Sequence, residues 1–257
     1  MHALVRRPGP LLAGGLVTHI DRVPVDVPLA LRQWEAYVAA LHDNGWTTTE
    51  VPPADDCPDA VFIEDTVVMF QGTAVLTRPG ADSRKPEIDA VAPVVEALGY
   101  PLARIEAPGT LDGGDVLKVG DVVYVGQGGR TNGEGIRQLE AIVEPLGYSV
   151  LAVPLSKVLH LKSAVTALPD RSVIGYPPLV DDPFLFADFV PVPEESGAHV
   201  VLLGGKRLLM AADCPLSAEL FHELGYAPVI VDISEFQKLE GCVTCLSVRM
   251  RVAGCDT

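Results

Sequence analysis

Apolar and polar residues follow one another along the chain in two different rhythms. Four stretches place apolar residues every three or four positions with charged residues between them, which predicts amphipathic helices at Leu29–Leu41, Lys85–Leu98, Gly133–Leu146 and Pro215–Leu224. Each stretch is followed by an Asn-Gly or Leu-Gly dipeptide and then an aromatic residue. Glycine at this place favours a left-handed helix C-cap, so the aromatic residue is predicted to begin a new strand.

Pairs of apolar strands precede the helices. Segments 65–77 and 115–125 each contain two strands joined by a turn, and shorter strands at 104–106 and 229–231 follow helical stretches. Two strands, a helix and a further strand therefore form a ββαβ module that recurs along the chain.

The fourth module and the two ends of the sequence complete this pattern. Residues 160–192 contain a strand pair within 164–176, but prolines interrupt the place where a helix would follow. The strand at 3–6 has no partner before it and the strand at 246–252 has no helix after it, so pairing the two closes a ring of five modules. A ring places the first residues of each inner strand around one central hole, where we expect the functional site.

Composition and charge limit the classes of function. The chain has 257 residues, of which 48% are hydrophobic and 21% are charged, so residues 1–257 are predicted to form a single compact domain. The formal net charge is -15. Binders of nucleic acid and of anionic membranes need clustered lysine and arginine, so this excess of carboxylates argues against both kinds of partner. A small cationic substrate suits the charge better.

The cysteines indicate a reducing compartment. Their number, five, is odd, and the chain is too large to need disulfides and shows no secretory signal. No stretch approaches the ~20 apolar residues that a membrane helix requires. We therefore predict a cytoplasmic protein whose cysteines are thiols.

Polar side chains recur where a loop enters the first strand of a module. Four modules contribute them, namely Glu64 with Asp65, Asp112 with Asp115, His160 with Lys162, and Cys245. Several carboxylates that face one cavity favour a bound cation, and a guanidinium matches carboxylates two at a time. Attack on a guanidinium carbon needs a nucleophile that is strong at neutral pH, which favours a thiolate.

Each of these residues also has an ordinary structural explanation. An acidic residue before a strand is commonly a loop cap, a histidine between leucines is commonly a core residue, and a single cysteine is commonly a small buried side chain. Cys242 and Cys245 form a Cys-x-x-Cys pair that is typical of redox and zinc sites. The sequence lacks a second such pair, and this one precedes a terminal strand rather than a helix, so neither interpretation is favoured.

Six segments together resemble the dimethylarginine dimethylaminohydrolases, members of the pentein superfamily of guanidino-group-modifying enzymes. The resemblance covers essentially the whole chain, and its segments are 59–66, 77–84, 111–117, 129–132, 158–163 and 239–248. It implies a five-bladed ββαβ propeller with a central active-site channel. It also implies hydrolysis of dimethylarginine or monomethylarginine to citrulline and the alkylamine, through a covalent thiouronium on a cysteine, without a cofactor or a metal.

The resemblance assigns a role to individual positions of this chain. Cys245 would be the nucleophile and His160 the general acid and base, with Asp112 close to it, while Cys242 would have no role. Contacts with the substrate are implied for the guanidinium at Asp59, Glu64 and Asp65, for the carboxylate at Arg84 and Arg130, and through backbone groups at Leu16 and Leu239. Some relatives carry Glu where this chain has Asp112, which leaves the partner of Asp112 open.

Two other functions remain open at this stage. An arginine or agmatine deiminase would use the same residue types on an unmethylated guanidinium. A non-catalytic pentein-fold binding protein would keep the ring and lose the cysteine and the histidine. The sequence does not decide the oligomeric state, for which a homodimer is one candidate.

Overall fold

The computed structural model describes residues 1–250, which form fifteen strands in five three-stranded sheets. The strands are β1 (His2–Val5), β2 (Thr47–Glu50), β3 (Val67–Phe70), β4 (Thr73–Leu76), β5 (Leu102–Arg104), β6 (Val116–Val119), β7 (Val122–Gln127), β8 (Ser149–Pro154), β9 (Val165–Ala167), β10 (Val173–Gly175), β11 (Phe189–Pro191), β12 (Val201–Gly204), β13 (Arg207–Ala211), β14 (Ala227–Val231) and β15 (Val248–Met250). The helices are α1 (Val27–Asp43), α2 (Val91–Ala97), α3 (Gly133–Val143), α4 (Pro215–Glu223) and α5 (Ser234–Gln237).

All five sheets share one topology. The first two strands of a module are antiparallel and the third is parallel to the second, as in β3–β4–β5. A parallel neighbour needs a crossover connection, which α1, α2, α3 and α4 provide in four modules. The predicted five-bladed ββαβ propeller is therefore confirmed.

Both ends of the described chain meet in the first module. Strand β1 pairs antiparallel with β15 and parallel with β2, which closes the ring as the sequence predicts. The last predicted strand, 246–252, is shorter in the structure, because β15 begins at Val248. Its positions 251–252, and the thiol predicted at Cys255, lie outside the described residues.

One predicted helix begins later than its pattern suggests. The apolar rhythm starts at Lys85, but Asp82–Ile88 forms a 3-10 turn and the α-helix begins at Val91. Pro86 lies within that turn, and proline has no N–H to donate and fixes its own φ angle, which disfavours an uninterrupted α-helix. In the fourth module, short 3-10 turns at Pro177–Leu179 and Pro183–Leu185 replace the helix, as the prolines predict.

The four predicted cap glycines adopt the left-handed conformation. Their φ angles are 81° at Gly45, 86° at Gly99, 90° at Gly147 and 84° at Gly225. Residues with a Cβ avoid this region, so glycine ends each helical segment and turns the chain toward the third strand.

The hydrophobic clusters pack each helix on its own sheet and also join neighbouring modules. Trp34 and Tyr37 of α1, for example, share a buried cluster with Leu208 of β13 and Phe221 of α4. Because each module covers the apolar face of its neighbour, the ring holds the inner strand ends in fixed positions. Within residues 1–250, no helix combines the length and the apolar character needed to cross a membrane.

Candidate active site

The loop-to-strand junctions of the modules meet at one central cavity. The 3-10 turns Ile63–Thr66, Gly113–Asp115 and Leu161–Ser163 contact one another there and lead into inner strands. Of the ten site residues predicted from the sequence, eight line this cavity: Leu16, Asp59, Asp65, Arg84, Arg130, His160, Leu239 and Cys245. Asp112 and Glu64 lie behind the lining.

Two adjacent glycines allow this close approach. A Cβ on Gly113 would lie 2.1 Å from the carbonyl oxygen of Glu64, and one on Gly114 would lie 2.7 Å from Asp65 Oδ1 and 2.8 Å from the His160 ring. The Gly-Gly pair is therefore a packing requirement of the site. The backbone N–H of Gly114 also donates to Asp65 Oδ1 at 2.7 Å.

His160 is a buried imidazole between carboxylates. Its Nε2 lies 2.9 Å from Asp112 Oδ2, and its Nδ1 lies 3.9 Å from Asp65 Oδ1. Burial disfavours the charged ring, but the charge of Asp65 and the hydrogen bond to Asp112 outweigh it and raise the pKa of His160 to about 9. At neutral pH the ring is therefore an imidazolium with a proton to deliver.

Asp112 is held so that it can accept the hydrogen bond from His160. Its Oδ1 accepts from the backbone N–H of Gly80 at 2.8 Å, and its own N–H donates to Thr131 Oγ1 at 3.1 Å. Thr131 in turn donates to Asp115, whose pKa burial raises to about 7. These bonds fix the Asp112 carboxylate and, through it, the orientation of the His160 ring.

Asp65 and Arg84 form a buried ion pair beside His160. Arg84 Nη1 lies 2.5 Å from Asp65 Oδ2, and Arg84 also donates to both carboxylate oxygens of Glu87 at 2.9 Å. Burial alone would raise the pKa of Asp65, but the charges of His160 and Arg84 hold it well below its ordinary value. Asp65 therefore stays ionised, and Arg84 enters the cavity already neutralised by two carboxylates.

Arg130 contrasts with Arg84 in its lack of close partners. Its Nη1 is buried and makes no hydrogen bond within residues 1–250, and the nearest carboxylate oxygen, Asp112 Oδ2, is 3.9 Å away. An unpaired buried guanidinium nitrogen is costly, so this group is suited to bind an anionic part of a ligand.

Glu64 belongs to a cluster of charges beside the cavity, and its predicted contact with a substrate guanidinium stays a prediction. Its Oε1 accepts from Lys162 Nζ at 2.8 Å and from Arg249 Nη2 at 2.5 Å, and it does not line the cavity. Its backbone N–H donates to the carbonyl of Cys245 at 3.2 Å. The other carboxylate oxygen, Oε2, is buried and has no hydrogen-bond partner within residues 1–250, so Glu64 keeps an acceptor for a ligand.

Cys245 lies next to a second sulfur. Its Sγ is 3.2 Å from Cys242 Sγ, and both residues are buried. The hydrogen bond to Cys242, burial and the nearby carboxylates raise the pKa of Cys245 above its ordinary value. Cys242 accepts that bond, which lowers its pKa to about 5 although burial acts in the opposite direction. The hydrogen bond thus couples the ionisation of the two sulfurs, and the sulfur that accepts it ionises more readily.

A loop covers the far end of the cavity. The backbone N–H of Leu16 donates to Asp59 Oδ1 at 2.9 Å, and the N–H groups of Thr18 and His19 donate to the carboxylate of Glu240 at 2.5 and 2.9 Å. Burial raises the pKa of Asp59, although Arg84 acts in the opposite direction. Asp59 therefore contacts the covering loop and also lies within electrostatic reach of Arg84, Arg130 and Asp65.

Three contributors were missed by the sequence analysis. They are Glu87, which holds Arg84, Arg249, which pairs with Glu64, and Glu240, which holds the covering loop. Arg249 left a signal, since it is a charged residue in an otherwise apolar terminal strand. Glu87 and Glu240 left none, because single acidic residues in polar segments are common.

The same centre also contains atoms of types that bind metals. Within residues 1–250, one group, Asp65, Asp112 and His160, brings three such atoms within 4.8 Å of one another. These groups are already paired, His160 with Asp112 and Asp65 with Arg84. The ordered carboxylates and the imidazolium are therefore arranged for proton transfer next to an organic cation.

Known proteins resemble the chain over nearly its full length, although no protein-family model matches it. The dimethylarginine dimethylaminohydrolase of Streptomyces coelicolor is 66% identical over 249 residues, which cover 97% of this chain and 96% of the relative. The same enzyme from Pseudomonas aeruginosa, solved as a cysteine-to-serine variant with citrulline, superposes with a TM-score of 0.90 at 38% identity, covering 97% of this chain and 98% of that one.

A further solved structure resembles the chain to the same degree. It is a dimethylarginine dimethylaminohydrolase with a histidine-to-glycine substitution, as an adduct with S-methyl-L-thiocitrulline, with a TM-score of 0.91 and 37% identity over 97% of this chain and 99% of that one. Sequence identity at this level over nearly the whole of both chains shows that they belong to one family. This chain belongs to the dimethylarginine dimethylaminohydrolase family.

Proposed function

We propose that this chain hydrolyses Nω-methylated arginines to citrulline and dimethylamine or methylamine, with Cys245 as the nucleophile. The observation that carries the proposal is the meeting of Cys245, protonated His160 and ionised Asp65 at one cavity. The related structures contain citrulline, which is the product of this reaction, and a thiocitrulline adduct, which resembles its covalent intermediate.

The charges along the cavity orient the substrate. Asp65 lies beside His160, and its carboxylate matches the planar donors of the guanidinium. Arg130 offers the unpaired Nη1 to the substrate carboxylate, with Arg84 beside it as the second predicted contact. Asp59 and Glu64, whose buried Oε2 has no partner within residues 1–250, are the further predicted contacts of the guanidinium, and Asp59 also accepts from the backbone N–H of Leu16. Leu16 and Leu239 line the cavity and are the predicted backbone contacts of the amino-acid end of the substrate.

The reaction proceeds in two halves. Cys245 adds to the guanidinium carbon while the imidazolium of His160 gives its proton to the departing amine, which leaves an S-alkylthiouronium on Cys245. His160, now neutral, takes a proton from water, and the resulting hydroxide attacks the same carbon. Collapse forms the ureido product and releases the sulfur. Asp112 stabilises the charged ring and fixes its orientation in both halves.

Parallel incubation with four substrates tests the proposal. We expect citrulline, detected colorimetrically and by mass spectrometry, from dimethylarginine and monomethylarginine but not from arginine, and no ureido product from agmatine. Turnover of arginine or agmatine would instead define a deiminase. A Cys245→Ser protein that keeps near-normal turnover would contradict the covalent scheme, and a His160→Ala protein should accumulate the thiouronium adduct.

Three further expectations from the sequence belong to this proposal. One cavity lined from the first four modules and by the segment before β15 supports one catalytic domain over residues 1–257. The four described cysteines form no disulfide, which suits a reducing cytoplasm. A homodimer is the predicted oligomeric state, and light scattering on the purified protein tests it.

A further inference from the structure

One nucleophilic side chain at the site has no role in the scheme above. Cys242 Sγ lies 3.2 Å from the sulfur of Cys245, and only 4% of its residue surface is exposed. A backbone turn, in which Cys245 N–H donates to the carbonyl of Cys242 at 3.1 Å, holds both side chains on one side. The hydroxyl of Thr244 lies 3.2 Å from Cys242 Sγ, within reach to donate to it.

The charges behind this pair favour a single negative charge on it. Glu64 pairs with both Lys162 and Arg249, which leaves one positive charge without a partner in that group. The charge of Cys245 raises the pKa of Arg249, which places that cation within electrostatic reach of the sulfurs, whereas the carboxylate of Glu64 acts to raise the pKa of both thiols. Burial makes unbalanced charge costly, and one thiolate would neutralise the group. The other titratable groups around the pair are Asp65, His199, Tyr37 and, across the cavity, His160.

In the first half-reaction the thiol of Cys245 must lose its proton to a base, and His160 cannot be that base. The imidazolium must keep its proton for the departing amine, so it cannot also remove the proton from the thiol of Cys245. Among the described residues, the acceptor in hydrogen-bond contact with that thiol is Cys242.

We propose that Cys242 is a second catalytic cysteine, which holds the negative charge of the sulfur pair in the resting enzyme and takes the proton of Cys245 as Cys245 attacks. This inference rests on the proposed function, because it concerns the activation of the same nucleophile. It replaces the expectation, implied by the resemblance, that Cys242 has no role.

The proton returns at the end of the cycle. In the resting pair, Cys245 S–H donates to the thiolate of Cys242. Proton transfer gives Cys242 S–H and a Cys245 thiolate, whose electron pair forms the bond to the guanidinium carbon. When the tetrahedral adduct collapses to citrulline, the C–S bond breaks, its electron pair stays on Cys245, and Cys245 regains the proton from Cys242. No oxidant or further reactant is consumed.

The pH dependence of kcat/KM separates this role from simple packing. Cys242→Ser keeps the size and hydrogen-bonding ability of the side chain but cannot hold a negative charge near neutral pH. We expect its acidic limb to move up by about 1 unit or more, the scale of coupling expected for a shared proton. Cys214→Ala, which removes a buried thiol of the same hydrophobic cluster far from the site, should keep the wild-type profile.

A turnover-independent measurement completes the test. Thiolate absorbance, titrated with pH, should show a thiolate on the acidic side of neutrality in wild type and in Cys245→Ser, and should lose it in Cys242→Ser. Two results would overturn the proposal, provided that circular dichroism shows a retained fold in Cys242→Ser. One is a thiolate signal that survives in this variant, and the other is an acidic limb of kcat/KM that overlays the wild-type limb. If wild type made no citrulline, the proposed function would fail, and the titration would still decide where the charge of the pair lies.

Discussion

Replacing Asp112 by asparagine removes one negative charge beside His160 and leaves the shape of the site. Asn keeps an oxygen for the N–H of Gly80, and its NH2 group then faces His160 Nε2, which can accept from it only when the ring is neutral. The variant therefore isolates the contribution of that carboxylate to the charge of the imidazolium.

The size of the effect follows from the geometry. The pKa of His160 is about 9 against an ordinary value of 6.5. A hydrogen bond to a charged group contributes about 1.5 to 3 kcal/mol, and one pKa unit corresponds to about 1.4 kcal/mol, so losing Asp112 should lower the pKa by about 1 to 2 units. Asp65 still faces the ring, and it keeps part of the elevation.

Two assays measure this shift. The histidine ring resonance titrated by NMR reports the pKa directly, with His160→Ala used for assignment. The basic limb of kcat should move to lower pH by the same amount, because the leaving amine needs the imidazolium. The matched control is Asp89→Asn, which changes an exposed aspartate away from the cavity.

Stability should change with pH in the same sense. The folded pKa of His160 lies above its unfolded value, so its contribution to the free energy of unfolding is complete below pH 6.5 and disappears as the pH rises through 9. The difference in stability between wild type and Asp112→Asn should therefore be larger at pH 6 than at pH 10. A basic limb and a ring pKa that match wild type, in a folded variant, would refute this account of His160.

Three further perturbations probe other parts of the site. Gly114→Ala should abolish turnover, since its Cβ would meet Asp65 and the catalytic ring at under 3 Å, whereas Gly129→Ala, with nothing within 4 Å of its Cβ, should leave kcat unchanged. Glu64→Gln should lower the free energy of unfolding in urea by about 2 to 4 kcal/mol, because it leaves two cations without their shared carboxylate; an unchanged midpoint would contradict the structural role given to it. Glu240→Gln should speed hydrogen exchange at the amides of Thr18 and His19, which donate to the Glu240 carboxylate, and should raise KM more than it lowers kcat. Unchanged exchange would show that other contacts hold the loop.

The sequence predicts the ring well because each module repeats the same local rules. Gly45, Gly99, Gly147 and Gly225 mark the helix ends, and a left-handed cap needs glycine wherever it occurs. The spacing of apolar residues places one helix start too early, because the residues before Val91 have helical spacing. Pro86 disfavours an α-helix there, and hydrophobicity alone does not reveal this.

Side-chain directions within the site are harder to predict. Glu64 and Asp65 are neighbours in sequence, yet the 3-10 turn that carries both sends one carboxylate to the cavity and the other to Lys162 and Arg249. The contact of Cys242 with Cys245 likewise depends on a turn that a Cys-x-x-Cys spacing permits but does not require. Resemblance to a family predicts which residues form the site, whereas the directions of their side chains are seen only in the structure.

The pairing of β1 with β15 orders events during synthesis of the chain. Strand β1 leaves the ribosome long before its antiparallel partner β15, because most of the described chain lies between the two. Contacts this distant in sequence close slowly, because the loop entropy must be lost before any pairing is gained. Cys245 lies directly before that late strand, so the nascent protein should carry no competent nucleophile until its ring can close.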